Sequence, residues 1–221
     1  MARDALTAGS KRTDLLMMEA RRKAIHLTGL SVPAAILLFG KASAFGFVAA
    51  ALAVAVLLER ARLSGKLWLP AVREHEEERV AGYFYYILGA LLTVALFSPP
   101  IAVAAMLMLA LGDAASGIIG SVVRGSAVRT RMMEGGERRT KPLPVVAATF
   151  AVCLAVGYAA RILEGTYFSG PGVLSLLVCT AGAAAATFAD AVPLTFRGKV
   201  IDDNLTIPLF AGSAMSLAAL L

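Results

Sequence analysis

Seven apolar stretches of roughly membrane-spanning length follow one another along this chain. They cover residues 24–40, 44–58, 83–97, 101–123, 143–161, 171–188 and 205–221. A helix needs about 20 apolar residues to cross the hydrocarbon core of a bilayer, and roughly 17 to 25 are tolerated. The first two stretches are short, so tilted spans are expected there. The pattern predicts an all-α, polytopic membrane helix bundle of about seven transmembrane helices.

The composition indicates the same surroundings. Of 221 residues, 58% are hydrophobic and only 16% are charged, whereas a soluble domain carries about 25% charged residues. A soluble fold of this length would have to expose much of this apolar surface to water. Both cysteines, Cys153 and Cys179, lie inside apolar stretches and are expected to be small buried side chains without a metal or a disulfide.

The charged residues predict how the bundle is oriented. All but two of the 21 Lys and Arg residues lie in the N-terminal segment or in the connections after the second, fourth and sixth stretches; the exceptions are Lys41 and Arg161. The positive-inside rule then places the N-terminus in the cytoplasm and the C-terminus outside. All but one of the 15 acidic residues share the cytoplasmic face, the exception being Glu164. Both signs of charge at one face suit a site for a charged, water-soluble ligand, and not a nucleic-acid surface.

An acidic residue lies within the fourth apolar stretch. Asp113 stands in a run of small residues that includes Gly112, Ser116, Gly117 and Gly120. An acid in a membrane helix costs about 2.5–3.5 kcal/mol on insertion scales, so Asp113 is a candidate functional residue. The small neighbours would let a ligand approach closely. Alternatively, the glycines form a helix-packing face.

Three further polar residues stand at the ends of apolar stretches. Lys141 comes just before the fifth stretch and is either a phosphate partner or a lysine that reaches to the membrane surface. Asp190 ends the sixth stretch and is either a site residue or a solvated boundary residue. His26, about one turn into the first stretch, is able to hydrogen-bond a headgroup or to act as a base.

The last polar connection carries Asp202, Asp203 and Asn204 in succession. Their hard oxygen atoms suit Mg²⁺ better than zinc, and adjacent acids repel each other unless a cation lies near. Alternatively, Asp203 or Asn204 caps the N-terminus of the last helix. Sequence signatures of P-loop ATPases, serine hydrolases, zinc proteases and thiol redox proteins are absent from the chain, which argues against those classes.

Four groups of residues resemble a known family. They are Arg22-Lys23-x-x-His26, Glu78/Arg79 with Gly82-Tyr83-Phe84-Tyr85, Leu111-Gly112-Asp113-Ala114-Ala115-Ser116-Gly117 with Gly120 and Lys141, and Ala189-Asp190-Ala191 followed by Ile201-Asp202-Asp203-Asn204-Leu205-Thr206-Ile207-Pro208. In this order and spacing the chain resembles the CTP-dependent polyprenol kinases, the dolichol kinase and phytol kinase group. The wider relatives of that group include phosphatidate cytidylyltransferases.

The resemblance implies a phosphotransferase in which residues 1–23 are a cytoplasmic segment and residues 24–221 are a single membrane-embedded catalytic domain. It would transfer a phosphoryl group from CTP, or another nucleoside triphosphate, to the hydroxyl of a polyprenol, phytol or diacylglycerol-like lipid. The implied magnesium ligands are Asp113, Asp202 and Asp203. The implied nucleotide contacts are Gly112, Ser116, Gly117, Gly120, Lys141 and Asn204. Asp190 or His26 would orient the lipid hydroxyl or accept its proton.

The chain departs from the family after Lys141. The family lysine is usually followed by Ser/Thr, one variable residue and Glu-Gly-Ser/Thr, whereas Lys141 precedes Pro142-Leu143-Pro144-Val145-Val146. The nucleotide donor therefore stays open between CTP and another triphosphate. Two other functions also stay open, a cytidylyltransferase that forms a CDP-activated lipid and a non-enzymatic lipid-binding or transport protein. The expected partners are the bilayer, a lipid alcohol and a nucleotide, and a homodimer stays open.

Overall fold

A computed structural model describes residues 27–67, 79–120, 122, 140–197 and 199–221 of this protein. Within these residues the chain is all-α apart from one short hairpin. The helices are α1 (Ser31–Leu63), α2 (Gly82–Leu96), α3 (Pro99–Gly120), α4 (Leu143–Tyr167), α5 (Leu176–Ala191) and α6 (Asp203–Ala218). A 3-10 turn, Thr28–Leu30, precedes α1, and the antiparallel strands β1 (Thr195–Phe196) and β2 (Lys199–Val200) connect α5 to α6.

Three helices are long and apolar enough to cross a membrane, namely α1 with its preceding turn, α3 and α4. Helices α2 and α5 are apolar but shorter. Large apolar side chains are exposed on the outside of several helices, among them Leu38, Phe39, Leu57, Ile162 and Leu177. A bilayer would cover such a surface, which water would not tolerate. The all-α class predicted from the sequence is therefore confirmed, while the count of seven crossings stays a prediction.

Helix α1 consists of two arms that meet at Gly40. With the turn before it, this helical segment contains 36 residues, which would extend about 54 Å if it were straight, against a hydrocarbon core of about 30 Å. The backbone of Gly40 is not helical, with φ 82° and ψ 166°, a conformation that favours glycine. The arms correspond to the first two apolar stretches of the sequence, and with α2 to α6 they make seven helical segments.

The amino group of Lys41 ties this bend to the end of α2. It donates hydrogen bonds to the carbonyl oxygen of Phe97 at 2.9 Å and to that of Ala95 at 3.3 Å. The last carbonyl groups of a helix lack partners within the helix, so the lysine satisfies them. The opposite end of α2, at Gly82, contacts the beginning of α6 through Asn204. The Lys41 bend and the beginning of α6 therefore lie at opposite ends of α2.

Helix α3 is the centre of the bundle. In the most apolar 18-residue part of α3, 67% of the residues are buried; the corresponding shares are 22% in α1 and 33% in α4. The run from Pro100 to Ala110 is buried except for the half-buried Leu107. A helix that is apolar on all sides belongs in the interior, and α3 contacts each of the other five described helices.

Two local features of the bundle determine the positions of Asp113 and of the first turn of α6. A π-helical turn, Met108–Gly112, interrupts α3 immediately before Asp113, and such turns are frequent at functional sites. At Gly89 of α2, a Cβ atom would lie only 2.6 Å from the carbonyl oxygen of Asn204. The backbones of α2 and α6 therefore touch there, and this contact fixes the position of the first turn of α6.

Candidate functional site

Three aspartates that are far apart in the sequence converge at one end of the bundle. Asp113 lies in α3, Asp190 in α5 and Asp203 in α6, and one carboxylate oxygen of each lies within 4.8 Å of the others. Asp113 is 9% exposed and Asp190 is 6% exposed, while Asp203 is half-buried. The sequence had singled out all three residues, and the fold brings them into one cluster, called here the aspartate cluster.

Each aspartate owes its place to the local structure of its helix. Asp113 follows the π turn of α3, next to Gly112, where a Cβ atom would lie 2.5 Å from the sulfur of Cys153. Asp203 is the first residue of α6, where the helix dipole favours a negative charge. Asp190 is the penultimate residue of α5, where the dipole disfavours an anion, so this carboxylate needs a cation beside it.

Lys141 supplies that cation. Its Nζ atom lies 2.6 Å from Asp190 Oδ1 and donates a hydrogen bond to Ser116 Oγ at 2.7 Å. The Ser116 hydroxyl in turn donates to Asp190 Oδ2 at 2.7 Å. The backbone N–H of Lys141 donates to the carbonyl oxygen of Ala191 at 3.1 Å, which anchors the lysine beside the end of α5. The Lys141 side chain is 27% exposed and that of Asp190 only 2%, so the ammonium group lies between the buried cluster and the surroundings.

The aspartate cluster has the chemistry of a magnesium site. Carboxylate oxygens are the ligands that Mg²⁺ prefers, at about 2.0–2.1 Å, so that oxygens on opposite sides of the ion lie about 4 Å apart. One carboxylate oxygen of each aspartate lies within 4.8 Å of the others, and an octahedral ion would draw oxygens on adjacent corners to about 3 Å and those on opposite corners to about 4 Å. Three ionised carboxylates beside the ammonium of Lys141 leave a net charge of −2, which one divalent cation balances. The donor set therefore fits Mg²⁺.

Asp202 and Asn204 have a different arrangement from Asp203. Asp202 is the N-cap of α6, and its carboxylate accepts hydrogen bonds from the backbone N–H of Asn204 at 3.0 Å and from Asn204 Nδ2 at 2.8 Å. Asn204 Nδ2 also contacts the carbonyl oxygen of Gly82 at 3.4 Å. The sequence favoured Asp203 or Asn204 as the alternative cap; the cap is Asp202. Of the adjacent acids, only Asp203 belongs to the aspartate cluster.

The other residues selected from the sequence fall in different places. His26 lies outside the described residues. Gly112 packs against α4, in agreement with the helix-packing alternative for the glycines. Gly117 and Gly120 both lie in the part of α3 that follows Asp113. A Cβ atom added at Gly120 would meet no other described atom within 4 Å. Cys153 and Cys179 are buried, as expected.

A second buried charged group lies where α1 ends and α2 begins. Glu59 and Arg62, both less than 10% exposed, form an ion pair with contacts of 2.5 and 3.0 Å. Glu59 also accepts hydrogen bonds from the backbone N–H of Ala81 at 2.9 Å and from the hydroxyl of Tyr83 at 2.5 Å. Arg62 donates to the carbonyl oxygen of Arg79. The i, i+3 spacing allowed the ion pair, but nothing in the sequence showed its contacts with α2.

Comparison with protein-family models, with curated proteins and with solved structures gave no match for this chain. The resemblance to polyprenol kinases rests on the sequence motifs alone. Five of the residues in those motifs lie in one group of side chains, namely Asp113, Ser116, Lys141, Asp190 and Asp203. That group is the basis on which a function is proposed.

Proposed function

We propose that this protein is a membrane lipid-alcohol kinase. It would transfer a phosphoryl group from CTP, or another nucleoside triphosphate, to the hydroxyl of a polyprenol, phytol or diacylglycerol-like lipid. The observation that carries the proposal is the convergence of Asp113, Asp190 and Asp203 beside the ammonium group of Lys141. Phosphoryl transfer depends mainly on positioning and on neutralisation of phosphate charge, and this cluster offers groups for both.

The proposed roles follow from the position of each side chain. Asp113 and Asp203 would hold Mg²⁺, which supplies charge neutralisation for the triphosphate when bound. Lys141, at the boundary of the buried cluster, would reach a phosphate oxygen. Asp190 would accept the proton of the lipid hydroxyl while that oxygen bonds to the γ-phosphorus and the bond to the leaving nucleoside diphosphate breaks. A hydroxyl already donates to this carboxylate, that of Ser116.

The proposal includes a membrane setting. The two arms of α1 and the five other helices would each cross the bilayer, giving seven crossings and a cytoplasmic N-terminus. Support comes from the concentration of charged residues at one face in the sequence and from the position of Lys41 at the end of α2 that is remote from the beginning of α6. The site would then face the cytoplasm, so that a nucleotide arrives from water and a lipid alcohol enters laterally.

A product assay tests the proposal. Purified protein in lipid nanodiscs would be incubated with magnesium, each of the four γ-labelled nucleoside triphosphates and a panel of lipid alcohols. The expected result is a labelled lipid phosphate together with an equal amount of nucleoside diphosphate. Asp113→Asn should remove the activity while the protein still inserts and purifies as a folded species, because the amide lacks the charge that the cation needs. Absence of transfer from every triphosphate to every alcohol would overturn the kinase proposal.

The same donor set would also serve a cytidylyltransferase, because that reaction likewise requires a magnesium-bound triphosphate. Incubation with CTP and a lipid phosphate distinguishes the two reactions, since a cytidylyltransferase releases pyrophosphate and forms a CDP-lipid. A transport function is less well supported. The interior around α3 is apolar over the run from Pro100 to Ala110, so the described residues form no polar path through the centre of the bundle.

A further inference from the structure

A short hairpin joins the two helices that carry Asp190 and Asp203. Its pairs are Thr195 with Val200 and Phe196 with Lys199, and the N–H of Ile201 closes its base on the carbonyl oxygen of Leu194 at 2.8 Å. The hairpin is the only strand structure in the part of the chain that the structure describes. It leaves the bundle directly beside the aspartate cluster.

The side chains of the hairpin are unusual for a surface turn. Phe196 is 64% exposed and Val200 is 40% exposed, so neither belongs to a core. The guanidinium carbon of Arg197 lies 5.5 Å from the centre of the Phe196 ring, a cation–π distance. Lys199 pairs across the strands with Phe196. One exposed aromatic ring is thus accompanied by two cations.

The backbone at the turn adds a second observation. Arg197 has φ 49° and is the only described non-glycine residue with a positive φ, in a region where glycine or asparagine is usual. A two-residue hairpin turn calls for a positive φ at its first central position, so this conformation follows from the tightness of the turn.

The position of the hairpin indicates what it contacts. Phe188 near the end of α5 and Phe210 on α6 are both exposed, and their rings stack at 6.3 Å on the outside of the bundle. A bilayer that covers this aromatic pair would have its surface near the end of α5, where the hairpin begins. Aromatic residues concentrate at that boundary, and basic residues there are attracted to anionic lipid headgroups.

We propose that the hairpin is a membrane-surface anchor whose partner is the anionic lipid of the adjacent leaflet. Phe196 inserts among the headgroups, and Arg197 and Lys199 bind their phosphate groups. The inference depends on the membrane setting and is independent of the reaction that the site performs.

Tryptophan fluorescence in nanodiscs tests the anchor. The only tryptophan, Trp68, is replaced in Trp68→Phe, and Phe196→Trp is added as the reporter. With brominated phosphatidylglycerol, the emission of the reporter should shift to shorter wavelength and be strongly quenched. Quenching should be weaker in purely zwitterionic brominated lipid and weaker again after Arg197→Gln with Lys199→Gln. Phe210→Trp in the same background is the matched control, because its side chain faces the bilayer and should be quenched in either lipid.

Two results would overturn the proposal. One is an unquenched reporter at Phe196 in anionic lipid while the control at Phe210 is quenched. The other is quenching at Phe196 that depends neither on lipid charge nor on the two cations. If a magnesium nucleotide, and not anionic lipid, alters the reporter emission, the cations belong to the nucleotide site and the anchor is rejected. None of these readouts requires turnover, so they are distinguishable from a failure of the kinase proposal.

Discussion

Asp202 and Asp203 are adjacent in the sequence but have different roles in the structure. Asp202 is not yet helical, and its carboxylate caps the N–H of Asn204. Asp203 begins the helix and directs a carboxylate oxygen to Asp113 and Asp190. A helix turns by about 100° per residue, so neighbouring side chains at its beginning face different surroundings. The pair is therefore one structural residue and one candidate metal ligand.

This division predicts opposite effects for two matched variants. Asp203→Asn should raise the magnesium concentration needed for half-maximal activity, because a charged ligand becomes neutral, and should change the melting temperature little. Asp202→Ala should lower the melting temperature, since loss of an N-cap costs about 1 kcal/mol, and should leave the magnesium dependence nearly unchanged. Magnesium titration and thermal unfolding of both proteins in detergent check the assignment. An unchanged magnesium titration for Asp203→Asn would remove this residue from the proposed site.

At the level of single residues, the sequence indicated the members of the site but not their connections. Asp113 was recognisable because an acid within an apolar stretch is costly, and Lys141 and Asp190 because they mark the ends of such stretches. Only one carboxylate of the Asp202–Asp203 pair points to the cluster. A shift of one residue in the start of α6 would change which of the two it is. Helix boundaries are the least certain part of a sequence prediction, so the cap and the cluster residue were not separable before the structure.

At the level of elements, the buried Glu59–Arg62 pair fastens the end of α1 to the beginning of α2. The connection continues to the site, because Gly82 of α2 contacts Asn204 and the backbone at Gly89 touches the first turn of α6. Removing one partner of a buried ion pair leaves an uncompensated charge and typically costs about 3–5 kcal/mol, whereas replacing both partners by apolar residues costs much less.

Single and double variants of this pair therefore give a specific prediction. Glu59→Gln and Arg62→Met should each lower the apparent melting temperature. The decrease in the double variant should be smaller than the sum of the two single decreases. Arg60→Gln is the control, because Arg60 is an exposed neighbour on the same helix. Thermal unfolding in detergent measures all four proteins. Strictly additive losses would show that Glu59 and Arg62 do not act as a pair.

The sequence predicted the helical segments but not the irregular features that join or interrupt them. Each apolar stretch contains a helical segment, because apolar length is a strong signal that depends little on tertiary contacts. The joining of the first two stretches into one bent helix, the π turn before Asp113 and the hairpin between Asp190 and Asp203 were not predicted. The bend at Gly40 and the π turn depend on how neighbouring helices pack, and strands of two residues are too short to show a period of alternation.

At the level of the whole molecule, the proposed orientation is testable with single cysteines. The chain's own Cys153 and Cys179 are buried, so the wild type should react little with an impermeant thiol reagent. Ser64 lies just after α1, on the side of the aspartate cluster, and Ser169 lies after α4; both are exposed. In intact cells Ser169→Cys should be labelled and Ser64→Cys protected, and both should react after permeabilisation. Labelling of Ser64→Cys from outside would reverse the orientation and place the site on the outer face.

The convergence of three carboxylates also bears on how far such a protein can be stabilised. Like charges held this close repel one another. The fold keeps them together because Lys141 lies beside Asp190 and because α3, α5 and α6 bury apolar surface against each other. An amide at Asp113 would relieve part of this repulsion and give a more robust protein in which the cluster has lost one of its charges, whereas Asp190 is held by its ion pair with Lys141. Selection or engineering for thermal resistance alone would therefore tend to erase the feature that distinguishes this bundle from an inert one. Durability and activity are expected to oppose each other at Asp113, and hardly at all on the lipid-facing surfaces.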